Sequence, residues 1–210
     1  MNDATTVEVK RLLKAYRKGL ISEELFADQM AEIYGNGNDK TYTYNGRAYS
    51  SERKMVLSVL DGFRAAEAFG AESLQVWIAC CQVACLRGGL RTICHREAYH
   101  ARLLEERLKE LGGECRAQIP EPLRHEALTG LASREVTDVL KLQGVLARTA
   151  GIQDATAALR AAVDQIEEDQ ETKHILLTIL DDEAASTRWL RETCTQLSES
   201  SQTAAQLGAP

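Results

Sequence analysis

The segment LRTICHREAYHARLLEERL, residues 90–108, repeats apolar residues at the three- and four-residue spacing of a buried helix face. Two successive positions of that face are filled by Glu97 and His100 instead of apolar residues. A buried carboxylate without a partner costs several kcal/mol or takes up a proton, so this face predicts a site as well as a core. The apolar positions of the face are Leu90, Ile93, Leu104, Leu108 and Leu111.

Two further predicted helices carry an acid on an apolar face, Glu67 in one and Glu183 in the other. Three acids on converging faces need a common explanation, and a divalent metal ion is one. The i, i+3 spacing of Glu97 and His100 aims both at one point, and carboxylates with a neutral imidazole suit iron, manganese or zinc. For any one residue, the alternative is a hydrogen-bonded or snorkelling side chain. The face with Glu67 comprises Val56, Leu60, Phe63, Gly70, Leu74, Trp77 and Cys81. The face with Glu183 comprises Leu176, Leu180, Leu190 and Leu197.

The first 50 residues predict a small separate segment. Residues 7–20 and 22–33 have helical periodicity and predict a helical hairpin, and a polar loop follows at 35–40. Residues 41–49 alternate β-forming residues about Asn45-Gly46, a strong signal for a tight hairpin turn, and predict a short β-hairpin.

Residues 51–198 predict four long helices, and residues 199–210 predict a flexible tail. We expect Gly88-Gly89 to separate the first two helices, Gly151 to interrupt the third, and a break near Asp169 to start the fourth. Residues 114–133 lack clean periodicity and predict a crossing connection to the far end of the bundle. The predicted helices are 51–87, 90–111, 134 to about 169, and from there to 198.

Three motifs carry a resemblance to a known group of proteins. Residues 67–71, EAFGA, look like the first-helix ligand region of the demethoxyubiquinone hydroxylases, and residues 97–100 form Glu-x-x-His. Residues 179–190, ILDDEAASTRWL, look like the last-helix motif of bacterioferritin. The chain thus resembles the ferritin-like superfamily, which implies an all-α fold: an antiparallel four-helix bundle with a long crossover between the second and third helices.

The chain departs from the family's di-iron motif in one half. Ser186 stands where the second histidine is expected, and Ile152 stands where the third-helix glutamate is expected, unless Asp154 replaces it. In the family's di-iron motif, the missing histidine and glutamate both bind the second metal. The resemblance therefore implies a mononuclear site for one iron or manganese ion per chain, or an inactive remnant that binds none. The ligands it implies are Glu67, Glu97, His100 and Glu183.

A second Glu-x-x-His motif, Glu171 to His174, has the wrong phase for the interior. Its residues share a face with polar side chains, so we interpret this face as solvated. The other members of the polar face are Asp164, Glu167, Glu168, Thr178 and Asp182.

Composition narrows the possible partners. The net charge of -6 offers no basic surface for nucleic acid, and the apolar run at 74–86 is too short for a membrane span, which needs about 20 residues. Neither end has a secretory signal pattern, so we expect a cytoplasmic protein with reduced thiols. The six cysteines form no C-x-x-C pair and are expected to be small core residues.

Two functions remain open at this point. The first is a metal-binding protein, either a redox protein or a simple metal binder; if it is an enzyme, it is a metal-dependent oxidoreductase. The second is a non-catalytic scaffold for protein interaction or self-association. In either case we expect a homodimer or higher homo-oligomer. The N-terminal segment either docks a partner or packs on its own bundle, and iron storage is the least favoured function.

Overall fold

The computed structural model describes residues 3–34 and 41–206, with side chains except at 3–6, 24, 31, 32, 34, 148–155 and 201–206. These residues are mostly helical, with one two-stranded sheet, which confirms the all-α class. Contacts divide the chain into two compact units, Met1–Met55 and Val56–Pro210. The elements are α1 (Asp3–Arg17), α2 (Glu23–Tyr34), β1 (Tyr42–Tyr44), β2 (Arg47–Tyr49), α3 (Glu52–Cys80), α4 (Ala84–Glu110), α5 (Glu121–Ala132), α6 (Asp138–Asp164) and α7 (Gln170–Gln206).

In the first unit, α1 and α2 pack as a helical hairpin. The rings of Tyr16 and Phe26 stack with centroids 4.7 Å apart. Gly19 follows α1 with φ of 67°, and the Ser22 hydroxyl accepts a hydrogen bond from the Leu25 N–H in the first turn of α2. The predicted polar loop at 35–40 lies outside the described residues.

Strands β1 and β2 form an antiparallel hairpin that pairs Tyr42 with Tyr49. The turn falls at Asn45-Gly46, whose φ values of 48° and 72° are those of a type I′ turn. This left-handed backbone suits Asn and Gly, which is why the sequence locates the turn correctly.

In the second unit, the break between α3 and α4 is not at Gly88-Gly89, as the sequence predicts. It lies at residues 81–83, where Asp138 Oδ2 accepts hydrogen bonds from the N–H groups of Gln82 (2.8 Å) and Val83 (3.1 Å). Both glycines instead lie inside α4. A Cβ at Gly89 would overlap the Trp189 ring, so that glycine serves close packing between α4 and α7.

The long helices run in opposite directions in two of their pairings. Between α3 and α4, Glu67 meets His100 near the middle, and Leu57 lies near Leu108 and Gly113 at the far end. Between α4 and α7, Gly89 contacts Trp189 and Arg107 pairs with Asp169, so residue numbers rise along one helix and fall along the other. Helix α6 packs extensively on α7, to which residues 165–169 join it.

The connection between α4 and α6 runs back along α3. Arg64 donates to the Ala117 carbonyl (2.8 Å), Arg124 pairs with Glu72, and the Cys80 thiol donates to the Leu131 carbonyl (3.2 Å). The predicted crossing is therefore present, but it contains a helix, α5, that the sequence does not predict. The prolines at 120 and 122 stand at the start of α5, where a helix tolerates them, although in the sequence they indicate irregular structure.

The last two long helices differ from their predicted bounds. Helix α6 begins at Asp138 rather than at Arg134, because the Thr137 hydroxyl caps it by accepting from the Leu140 N–H (3.3 Å). Its backbone continues through Gly151 without the predicted interruption. Helix α7 runs to Gln206, beyond the predicted end at 198, and residues 207–210 of the predicted tail lie outside the described residues.

Among the described residues, no helix combines the length and the apolar character that crossing a membrane requires.

The core of the second unit follows the predicted helix faces. The residues buried on the predicted faces include Val56, Leu60, Leu74, Trp77, Cys81, Leu90, Ile93, Leu104, Leu108, Leu176, Leu180 and Leu190, and α6 adds Leu159, Val163 and Ile166 to the core.

Candidate metal centre

Three helices bring Glu67 (α3), His100 (α4) and Glu183 (α7) to one place inside the second unit. Each offers one donor atom, and these atoms all lie within 4.8 Å of one another. His100 Nδ1 is 3.2 Å from Glu67 Oε2 and 3.9 Å from Glu183 Oε1. The side chains of His100 and Glu67 are only 2% and 4% exposed. Three of the four predicted ligands therefore meet.

The fourth predicted ligand, Glu97, lies beside this group but does not belong to it. Burial, and then the charges of Glu183 and Glu67, raise the pKa of Glu97 to about 9. Its carboxylate lies over Gly70, where a Cβ would overlap Oε2. Gly70 thus leaves the space that Glu97 needs on the α3 side, and Glu97 stays close enough for its charge to act on the cluster.

One carboxylate oxygen of Glu183 lacks a hydrogen-bond donor among the described residues. Oε1 is buried and has no hydrogen-bond partner among the described residues. Burial, followed by the charge of Glu67, raises the pKa of Glu183 to about 7. Burial also raises the pKa of Glu67, although its hydrogen bond with His100 opposes the shift. Buried acceptors normally have a donor or a cation, so this oxygen points to a missing positive group.

His100 turns its two ring nitrogens to two different carboxylates. Nδ1 faces Glu67 and Glu183, and Nε2 lies 3.2 Å from Asp182 Oδ2. Burial alone would lower the pKa of His100, but the hydrogen bonds with Glu67 and Asp182 raise it overall. Metal-binding histidines commonly place the second ring nitrogen on a carboxylate, which fixes the tautomer and the ring orientation. A cation bound to Nδ1 and to the carboxylates of Glu67 and Glu183 would take the place of the contact between Nδ1 and Glu67.

Asp182 also belongs to this site, although its position in the sequence predicts the solvated face of α7. Its side chain is 40% exposed, yet it contacts His100. Arg96 donates to the Asp182 carbonyl (3.1 Å) and lies 3.7 Å from its carboxylate. The feature of the sequence that indicates a place for Asp182 in the site is its position next to Glu183. The rest of that face is solvated as predicted, since Glu171 and His174 are exposed.

The positions expected to serve a second metal differ from the first group. The Ser186 hydroxyl accepts a hydrogen bond from Arg96 (3.0 Å), so a guanidinium lies beside this position. The side chains of Ile152 and Asp154 lie outside the described residues.

The donor atoms of this site suit a divalent cation. Two carboxylates and an imidazole meet, the buried carboxyl group of Glu97 lies beside them, and one buried carboxylate oxygen has no donor among the described residues. Carboxylate and imidazole donors suit iron and manganese. Comparison of the chain with protein-family models, curated proteins and solved structures gives no significant match. The function is therefore inferred from the geometry of this site.

Proposed function

We propose that this chain is a ferritin-like metal-binding protein that binds one iron or manganese ion per chain. Glu67, His100 and Glu183 would be the ligands, and Glu97, which lies beside them, would be the fourth. The observation that carries the proposal is the buried, unpartnered Glu183 Oε1, which lies 3.9 Å from His100 Nδ1. A cation bound among these atoms would satisfy that oxygen and relieve the repulsion between the carboxylates.

The arrangement of helices supports the ferritin-like bundle. Helices α3 and α4 are antiparallel, α4 and α7 are antiparallel, and the chain returns along α3 before α6 begins. A long crossover between the second and third helices of a bundle requires such a return. The site then lies between α3, α4 and α7, near their middles, where ferritin-like proteins hold metal.

Arg96 supports one metal ion rather than two. Its guanidinium is bound to Ser186 at the position where the resemblance expects a second histidine. A second cation bound through residue 186 would have to approach this fixed positive charge. The proposed site is therefore mononuclear.

A bound iron or manganese ion would supply one-electron redox chemistry, which makes a metal-dependent oxidoreductase the enzyme class that we propose. The residues of the chain orient and shield this centre. Asp182 holds the His100 ring, and Arg96 holds Asp182. Burial of Glu67 and His100 excludes water from two sides of the cluster.

A second candidate is a scaffold for protein interaction or self-association whose metal site has been lost. It is favoured by the contacts of His100 with Glu67 and Asp182, which satisfy both ring nitrogens without a metal. The N-terminal segment also exposes apolar side chains that a partner or a second copy of the chain could cover. They are Val7 (66% exposed), Leu20 (73%) and Leu25 (41%).

Metal analysis of protein purified after iron- or manganese-supplemented growth separates the two candidates. The metal-binding proposal expects one ion per chain, lost in Glu183→Gln and in His100→Gln. The variants Glu171→Gln and His174→Gln provide a matched control, because they remove the same residue types from an exposed Glu-x-x-His motif on α7. Absence of metal under both growth conditions would favour the scaffold.

A further inference from the structure

Cys80 and Lys141 form a second reactive cluster, at the end of α3 and the start of α6. Lys141 Nζ donates a hydrogen bond to Cys80 Sγ at 3.2 Å. The lysine is only 5% exposed, and Cys80 packs against an apolar core that includes Trp77, Leu131 and Leu142. A buried amine therefore lies in direct contact with a thiol.

Among the described residues, Lys141 has no carboxylate within ion-pair distance. The carboxylate of Asp138, one turn earlier on α6, has other partners. It accepts hydrogen bonds from the Trp77 indole (2.9 Å) and from the backbone N–H groups at 82 and 83. A buried ammonium is normally paired with an anion. The amine has a sulfur atom in place of that anion, and the carboxylate closest along the helix does not neutralise it.

The thiol is held in place from its other sides. Cys80 Sγ donates toward the carbonyls of Trp77 (3.3 Å) and Leu131 (3.2 Å), so the sulfur cannot rotate away from Lys141 without losing these contacts. The adjacent Cys81 differs, because burial and the nearby Asp138 raise its thiol pKa to about 11, which makes it a poor nucleophile. Cys85 and Cys115 are exposed.

We propose that Cys80 and Lys141 are an oxidant-responsive pair that becomes covalently linked through one oxygen atom, as an N–O–S bridge. The oxidant is dioxygen. One N–H bond of the neutral amine and the S–H bond of the thiol break, and N–O and O–S bonds form. The second oxygen atom leaves as water with the two released hydrogens. Nitrogen and sulfur each give up two electrons, and dioxygen takes up all four. The proton that the ammonium carries beforehand passes to solvent.

Geometry favours this product over the alternatives. The amine and the thiol are in contact at 3.2 Å, and an N–O–S link holds its nitrogen and sulfur closer to this separation than a direct S–N bond does, so the packed ends of α3 and α6 would have to move less. The bridge would tie the end of α3 to the first turn of α6 beside the turn at 81–83. The inference does not depend on metal binding, since all of these residues lie apart from Glu67, His100 and Glu183.

Mass spectrometry of the full chain tests the proposal. Protein held in air-saturated buffer should gain one oxygen and lose two hydrogens, and protein held without oxygen should not. Peptide mapping should place the change on a cross-link between the peptides of Cys80 and Lys141. Dithiothreitol should reverse it. A modified Cys80 that is not joined to Lys141, or a Cys80 that stays reduced in air, would overturn the proposal without any variant being needed.

Three variants sharpen the test. Cys80→Ser and Lys141→Met should each abolish the linked species, and Cys85→Ser, which removes an exposed thiol, should leave it unchanged. Persistence of the same mass change in Lys141→Met would show that the lysine takes no part.

Discussion

At the scale of single residues, Glu67, Glu97 and Glu183 lie close together, and burial raises the pKa of each. Glu97 reaches about 9 and Glu183 about 7, from an ordinary value of 4.5. In the metal-free protein these groups bind protons more tightly when folded than when unfolded. Their contribution to stability is therefore complete below their unfolded pKa and is lost as the pH rises through the folded values.

We predict that the thermal midpoint of the metal-free protein decreases as the pH is raised from about 5 to about 9. The free energy of unfolding should decrease over this range by a few kcal/mol in order of magnitude. Glu97→Gln should flatten this decline, because glutamine fits the same space without ionising. Glu106→Gln, on the exposed surface of the same helix, is the matched control. Thermal unfolding followed by circular dichroism measures both. An equally steep decline in Glu97→Gln would mean that Glu97 does not ionise over this range.

Asp182 provides a second prediction at this scale. Asp182→Asn should weaken manganese binding about 10- to 100-fold while leaving the stoichiometry at one, because it loosens the His100 ring without removing a ligand. Asp181→Asn, which changes the exposed neighbour, should bind normally. Isothermal titration calorimetry gives both quantities. Equal affinities for the two variants would argue against a role for Asp182 in orienting His100.

The sequence predicts the inward residues of this site better than its supporting residues. Glu67, His100 and Glu183 each interrupt an apolar face, and helical periodicity alone shows which way they point. Asp182 lies one residue before Glu183 and is partly exposed. Its contact with His100 depends on how α4 and α7 approach each other, which a pattern within one helix does not contain.

At the scale of elements, two adjacent glycines of α4 have opposite roles. A Cβ at Gly88 meets nothing within 4 Å, whereas one at Gly89 overlaps the Trp189 ring. Gly88→Ala should therefore stabilise the protein by up to about 1 kcal/mol through helix propensity. Gly89→Ala should destabilise it by about 1–3 kcal/mol through overpacking between α4 and α7. Urea unfolding of the two variants measures the difference, and equal effects would contradict the close packing.

The turn between α3 and α4 depends on a carboxylate from α6. Burial by itself would raise the pKa of Asp138, but hydrogen bonds from Trp77, Gln82 and Val83 outweigh burial, so its pKa is lowered. The stabilisation that this carboxylate provides is therefore present above its unfolded pKa of about 3.8 and is lost as the pH falls through the folded value.

Asp138→Asn should cost about 1–3 kcal/mol near neutral pH, because an amide cannot accept all of these bonds. The difference from the unmodified protein should shrink in acid, below the unfolded pKa of Asp138. Urea unfolding across this pH range, with Asp181→Asn as the exposed control, provides the measurement. A cost that stays constant in acid would show that the ionised form is not what stabilises the turn.

The same turn explains where sequence reasoning about the elements fails. Gly88-Gly89 has the composition of a break, but the actual break is fixed by Asp138, more than 50 residues away in the sequence. Helix α5 is missed for a related reason: it is short, its prolines stand at its start, and its packing against α3 comes from long-range contacts such as Arg124 with Glu72.

At the scale of the whole molecule, the second unit uses its topology to assemble the site. Each of the three proposed ligands comes from a different helix, and the antiparallel pairing of α4 with both α3 and α7 aligns their midpoints. The sequence predicts the helical class and the return of the chain between α4 and α6, because apolar helix faces and one irregular stretch are visible in it. It does not contain the exact helix ends, which tertiary contacts determine.

The most direct test of the central claim is a crystal of the full chain grown with manganese and measured for anomalous scattering. The account predicts one strong peak per chain, bounded by the carboxylates of Glu67 and Glu183 and by His100 Nδ1. A map with no peak at this position in manganese-loaded crystals, or with the metal at Glu171 and His174 instead, would contradict it.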